Sequence, residues 1–398
     1  MVLRQCSVVD ATVEPAAPLR VIDRCGAVWD DMRMAANGQL TTRTLASIAP
    51  PVAIVVLALT WGRDLNAVLV TVVALVLAAA VMSAVQHAEV VAHRVGEPYG
   101  SLILAVAVTV IEVALIVTLM VSGSHDTSTL ARDTVFAAVM ITTNGIVGLA
   151  LLMGAFRHGL IVFNAEGAGA ALATVTSLAV LALVLPTFTS TPGPQFSDSQ
   201  LAFAAVASLA LYGMFVFTQT VRHRDFFLPV ADDGGILEPD EHAAPPSRRE
   251  AMTSLGLLIV ALVAVVGLAK VESPAIESGV AAAGFPQSFV GVVIALVVLL
   301  PETFAAVRAA RRNRIQTSLN LALGSAMASI GLTIPAIALA SIWLDGPLLL
   351  GLGSNQMVLL FLTVVVSVLT LVPGRATRLQ GGLHLVIFSA FLFLAINP

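Results

Sequence analysis

Residues Gly284–Pro335 read GFPQSFVGVVIALVVLLPETFAAVRAARRNRIQTSLNLALGSAMASIGLTIP. An apolar run carries one carboxylate, Glu302, directly after Pro301. Four arginines follow within a short stretch: Arg308, Arg311, Arg312 and Arg314. A second apolar run then spaces Ser318, Gly324, Ser325, Ser329 and Gly331 along its length. A charged side chain inside a membrane-length apolar segment costs roughly 2.5–3.5 kcal/mol on insertion scales, so Glu302 is by default a functional-site candidate.

The rest of the chain fits that setting. It has 398 residues, 58% hydrophobic and 11% charged, with a mean hydropathy of +0.96. A soluble domain carries about 25% charged residues. A chain this apolar cannot cover a water-exposed surface, which predicts an all-α polytopic membrane protein. The net charge of −4 points to no nucleic-acid partner. The only cysteines, Cys6 and Cys25, stand in the polar N-terminal tail and define no disulfide or metal framework. The tail, 1–44, lacks the apolar core of a signal peptide and reads as a cytosolic segment.

A span needs roughly 20 apolar residues. Runs of that kind predict eleven transmembrane helices, at 45–61, 65–86, 98–121, 133–155, 168–188, 200–220, 251–269, 285–307, 315–341, 346–372 and 377–397. With the N-terminus in the cytoplasm, seventeen of the 20 Lys and Arg fall inside and only Arg63, Arg132 and Lys270 outside. That asymmetry predicts a multi-pass protein of the inner cell membrane with its C-terminus outside. The segment 222–250 is acidic and broken by Gly and Pro, and reads as a cytoplasmic linker between 62–221 and 251–398.

The opening stretch has a second copy. Gly96-Glu97-Pro98 leads one apolar run and Gly284-Phe285-Pro286 leads the other. The first reaches Glu112, 14 residues after its proline; the second reaches Glu302, 16 after. Each is followed by a span of small polar residues, ARDTVFAAVMITTNGIVGL from Ala131 and RIQTSLNLALGSAMASIGL from Arg314. Laid so that Gly148 meets Gly331, Thr134 meets Thr317 without a gap. Equivalent elements sit five spans apart, so the copies cross in opposite directions. That is the mark of an inverted-repeat transporter with its site near the midplane.

Glu112 and Glu302 are the only acids well inside the predicted spans. Burial disfavours an ionised carboxylate, and a second one nearby disfavours it further. Such a pair holds protons or a cation but resists being ionised and empty, which is a basis for cation/proton exchange. Hydroxyls and backbone carbonyls of the fourth and ninth spans suit a hard cation. No cysteine and only His384 among the histidines lies within a span, which speaks against a soft-metal site; His384 reads as a packed interface residue. Pro301 removes a helical hydrogen bond and reads equally as kink or ligand. Asn144 reads equally as helix–helix glue or ligand. His87, Glu89 and His93 read as a solvated cytoplasmic loop, with pH sensing or proton entry as the functional alternative.

The stretches HAEVVAHRVGEPYGSLILAVAVTVIEVALIV, ARDTVFAAVMITTNGIVGL and LLPETFAAVRAARRNRIQTSLNLALGSAMASIGLTIPA resemble the bacterial calcium/proton antiporters of the cation/calcium exchanger superfamily, the sodium-calcium/proton type. The resemblance covers roughly residues 80–345 and implies two inverted five-helix repeats after an extra first helix at 45–61. It implies that Glu112 and Glu302 bind cation and proton alternately, with Thr143, Asn144, Gly324 and Ser325 as supporting ligands. Thr109 stands three before Glu112, whereas Leu299 and Leu300 precede Pro301, so hydroxyls are fewer near Glu302. The expected activity is exchange of Ca2+, with Na+ or K+ as further cations, for H+ across the lipid bilayer, without a cofactor. The alternatives are a strictly monovalent cation/proton antiporter and an intramembrane carboxylate enzyme. The latter would require an Asp pair, a Ser/His set or HExxH, and the spans contain none.

Overall fold

The computed structural model describes residues 44–63, 65–96, 99–122, 127–230, 245–344 and 346–398. Cys6, Cys25, the Glu97–Pro98 pair and the linker acids between 231 and 244 lie outside the described residues. The described chain is helical almost throughout. The helices are α1 (Thr44–Thr60), α2 (Ala67–Val95), α3 (Tyr99–Ser122), α4 (Leu130–His158), α5 (Ala165–Phe188), α6 (Asp198–Arg222) and α7 (Arg248–Ala282). They continue with α8 (Phe289–Val298), α9 (Leu300–Arg311), α10 (Ile315–Ala340), α11 (Ser354–Leu371) and α12 (Arg378–Ile396). Nine of them, among the described residues, are long and apolar enough to cross a membrane, and α8 with α9, taken as a pair bent by 54°, meets the same requirement. This is a polytopic membrane protein.

Local chemistry fixes the ends. Asn66 caps α2 by accepting from the Leu69 amide, and Gly96 closes that helix at φ +77°. Ser197 with Gln200 and Ser247 with Glu250 form reciprocal caps on α6 and α7. Such caps satisfy amides that the first turn of a helix leaves unpaired. The bend between α8 and α9 has a covalent cause: Pro301 has no amide hydrogen and occupies the first turn of α9, where its missing donor costs nothing.

Several helices outrun the apolar runs that announce them. α2 continues to Val95, so His87, Glu89 and His93 stand on a helix and not in a loop. α7 continues to Ala282 through Pro274, carrying Glu272 and Glu277, both buried. α4 begins before Asp133, which is buried as well. Glu112 and Glu302 are therefore not the only acids within helices of membrane length. α11 starts at Ser354, not near 346.

Two hydrophobic cores organise the bundle. One draws on α2, α3, α7 and part of α8. The other draws on α4, α5, α6, α9, α10, α11, α12 and the rest of α8. Large side chains such as Val68, Leu75, Phe203, Val206, Phe361 and Val386 are exposed on the outside, as they are where the solvent is hydrocarbon. Two short strands pair antiparallel beside the helix ends, β1 (Ile161–Val162) with β2 (Arg375–Ala376), in the register Ile161 to Ala376.

Candidate functional site

α3 presents Thr109 and Glu112 one turn apart, both buried. Ser329 Oγ of α10 donates to Glu112 Oε2 at 2.9 Å. Thr333, one turn further along α10, lies beside the same carboxylate but out of hydrogen-bond geometry. Glu112 Oε1, Thr109 Oγ1 and Thr333 Oγ1 are all buried without a hydrogen-bond partner among the described residues. A carboxylate oxygen and two hydroxyls, buried and unsatisfied on α3 and α10, are groups of the kind a hard cation or a proton can satisfy.

Glu302 sits in the first turn of α9, just past the bend at Leu299. It is half-buried, and its Oε2 is enclosed without a partner among the described residues. The side chain lines a cavity of about 240 Å³ together with Tyr212, Gln219, Asn320, Gly324 and Ser325. Gly324 keeps this space clear: a Cβ added there would meet nothing within 4 Å. Asn320, in the cavity wall, is held by amide hydrogen bonds. Gln316 Nε2 donates to Asn320 Oδ1 at 2.9 Å, and Asn320 Nδ2 donates to the Phe227 carbonyl at 2.7 Å.

Thr143 and Asn144 stand on α4. They belong to a π-helical turn, Ile141–Ile146, whose six residues are all buried. Asn144 Nδ2 donates to Thr143 Oγ1 at 3.2 Å and to Thr363 Oγ1 at 2.9 Å. Its Oδ1 meets His384 Nδ1 at 3.2 Å. The side-chain hydrogens of Asn144 are thus engaged with α11 and its own helix. Pro301 is buried at the bend. His87 is buried, while Glu89 and His93 are exposed on α2.

Three buried acids were not anticipated as such: Asp133, Glu272 and Glu277. Asp133 is paired with Arg132 at 2.7 Å and accepts from Thr129 at 2.9 Å. Glu277 accepts from Ser273 at 3.3 Å and borders a small cavity with Asp133 and Gln287. Glu272 Oε2 has no hydrogen-bond partner among the described residues. One signal was available in the sequence: Glu277 stands nine residues before Pro286, as Glu89 stands nine before Pro98.

The described helices thus form a membrane bundle with an enclosed carboxylate oxygen, unpartnered among the described residues, on each of α3 and α9, an arrangement suited to an ion-translocating membrane protein. The sequence model of the sodium/calcium exchanger protein family matches residues 65–221 and 253–397, and the chain belongs to that family. It is 47% identical over 360 residues to y4hA, an ionic-transporter candidate of Sinorhizobium fredii (strain NBRC 101917 / NGR234), covering 90% of this chain and 93% of that one. It is 35% identical over 349 residues to the sodium-potassium/proton antiporter ChaA of Escherichia coli (strain K12), covering 87% of this chain and 94% of ChaA. The fold matches native YfkE with a TM-score of 0.68 at 16% identity, over 90% of this chain and 100% of YfkE.

Proposed function

We propose that the chain exchanges Ca2+, and Na+ or K+, for protons, with Glu112 and Glu302 binding cation and proton in competition. The observation that carries this reading is the pair of enclosed carboxylate oxygens, Glu112 Oε1 and Glu302 Oε2, each without a hydrogen-bond partner among the described residues. A bare buried carboxylate is costly, so each must take up a proton or a cation. Removing one occupant favours the other, which couples the two flows. Ser329, Thr333 and Thr109 supply neutral oxygens at Glu112; Ser325 supplies one at the Glu302 cavity. Glu89 is the outermost acid of the series and serves as the entrance for protons and cations from the arginine-rich face, taken as cytoplasmic. The two-halves reading is supported by the family model matching in two stretches.

A strictly monovalent antiporter is the second reading. Calcium takes about six to eight oxygens, and Leu299 and Leu300 deprive Glu302 of neighbouring hydroxyls. ChaA, by its name a sodium-potassium/proton antiporter, points the same way. Everted membrane vesicles separate the two: dissipation of a pH gradient by Ca2+ as well as by Na+ or K+ is expected. A response to monovalent ions alone selects the second reading, and no response to any cation removes both.

A further inference from the structure

We propose that His384 is a positioning residue that holds the π-helical turn of α4 shut against α11 and α12, closing the pathway past Thr143 while the cavity at Glu302 is open. The proposal rests on the antiporter reading above.

The hydrogens of this network can be assigned one by one. Thr143 Oγ1 gives its hydrogen to the Val139 carbonyl at 2.6 Å, so it can only accept from Asn144. Thr363 Oγ1 gives its hydrogen to Met140 Sδ at 3.6 Å, so it too accepts from Asn144. The Asn144 amide hydrogens face Thr143, Thr363 and, at 3.8 Å, Met140 Sδ; its Oδ1 faces the ring, so His384 Nδ1 is the donor. A neutral imidazole protonated at Nδ1 accepts at Nε2, where the Thr370 hydroxyl lies at 3.2 Å. His384 is fully enclosed. α11 and α12 carry no carboxylate, and the only one on α4, Asp133, is eleven residues from Asn144. An imidazolium here would be a buried charge without a partner, so the neutral ring is the species that fits.

Packing says the same. A Cβ on Gly148 would come within 3.0 Å of the His384 Cβ, and one on Gly145 within 3.5 Å of the Phe388 ring. α12 therefore lies directly on the turn. In the register that pairs Gly148 with Gly331, Thr142 corresponds to Ser325 and Ile141 to Gly324. Ser325 and Gly324 face the open cavity. Their counterparts are sealed. One pathway open and its twin closed is what alternating access requires of two related halves.

The test uses full-length protein in proteoliposomes with Cys6 and Cys25 replaced by serine and Phe388→Cys as reporter. His384→Phe removes both ring nitrogens. The expected result is cation/proton exchange reduced at least roughly tenfold, since Asn144 Oδ1 loses its donor in a dry site. Residue 388 should also gain labelling by a membrane-impermeant maleimide, from the face opposite the arginine-rich one only. His384→Asn, whose amide can donate where Nδ1 did, should restore exchange and suppress labelling. If His384→Phe does not reconstitute, Thr363→Val, which removes an acceptor of Asn144 without changing shape, is expected to give the same one-sided labelling. Exchange and labelling unchanged in the folded His384→Phe or Thr363→Val protein overturn the proposal, as does His384→Asn failing to rescue. If the parent protein exchanges no cation at all, it is the antiporter reading that fails.

Discussion

Ser329 Oγ donates to Glu112 Oε2 at 2.9 Å, and that bond ties α3 to α10. It is a direct polar link between them at the depth of the acids. A hydrogen bond to a charged group contributes about 1.5–3 kcal/mol. Ser329→Ala should therefore raise the half-saturating cation concentration by roughly tenfold or more while leaving the helical content intact. Flux titration in vesicles, with circular dichroism on the purified protein, checks both halves of that statement.

Glu112→Gln and Glu302→Gln should each abolish exchange, and the double variant should be no worse than either alone. A shared occupant makes the two acids one functional unit, and units of that kind are strongly non-additive. Residual exchange above a tenth of the parent rate, roughly a 1.4 kcal/mol loss, in either single variant would place the site elsewhere.

Acid on the loading side should weaken cation uptake. Protons and cations compete for the same oxygens, so the half-saturating concentration should rise by roughly tenfold per pH unit for each competing proton. The maximal rate at saturating cation should change far less. Uptake into vesicles at several external pH values measures both; a fall in maximal rate at constant half-saturation would contradict competition.

Two glycines should behave in opposite ways. A Cβ on Gly291 would meet the Thr134 amide nitrogen at 2.8 Å and the Asp133 carbonyl carbon at 2.9 Å, and backbone cannot step aside. Gly291→Ala should lower stability by about 1–3 kcal/mol. Gly324→Leu should leave stability nearly unchanged, because the first carbon meets nothing within 4 Å, yet it should slow transport by filling the cavity. Thermal unfolding in detergent, set beside flux, separates the two effects.

Much of this architecture is legible in the amino-acid order, because a helix in hydrocarbon must advertise itself as an apolar run. The bend at Leu299 is likewise announced by Pro301. The ends of the helices are not. α7 runs on through Lys270, Glu272 and Glu277, since a helix is limited by its hydrogen bonds and caps and not by hydropathy, and so a run that stops at the first charge hides buried acids. The glutamates stand out as lone charges, but their partners do not: Ser329 and Thr333 look like any small polar residues until packing sets them against Glu112. Asn144 illustrates the reverse case. Its type and place in the repeat allow a ligand, and only the contacts show that its amide hydrogens face Thr143 and Thr363 while its oxygen faces His384.

The two-residue pairing of β1 with β2 bears on how such a bundle can move. It pins the segment after α4 to the segment before α12, and Arg378 Nε reinforces it with a 3.4 Å bond to the Ala155 carbonyl. Levers joined at one tip separate most at the other. A parting of α4 from α12 that keeps this clasp must swing about it, so the wedge between them widens away from the end that bears Arg157 and Arg378.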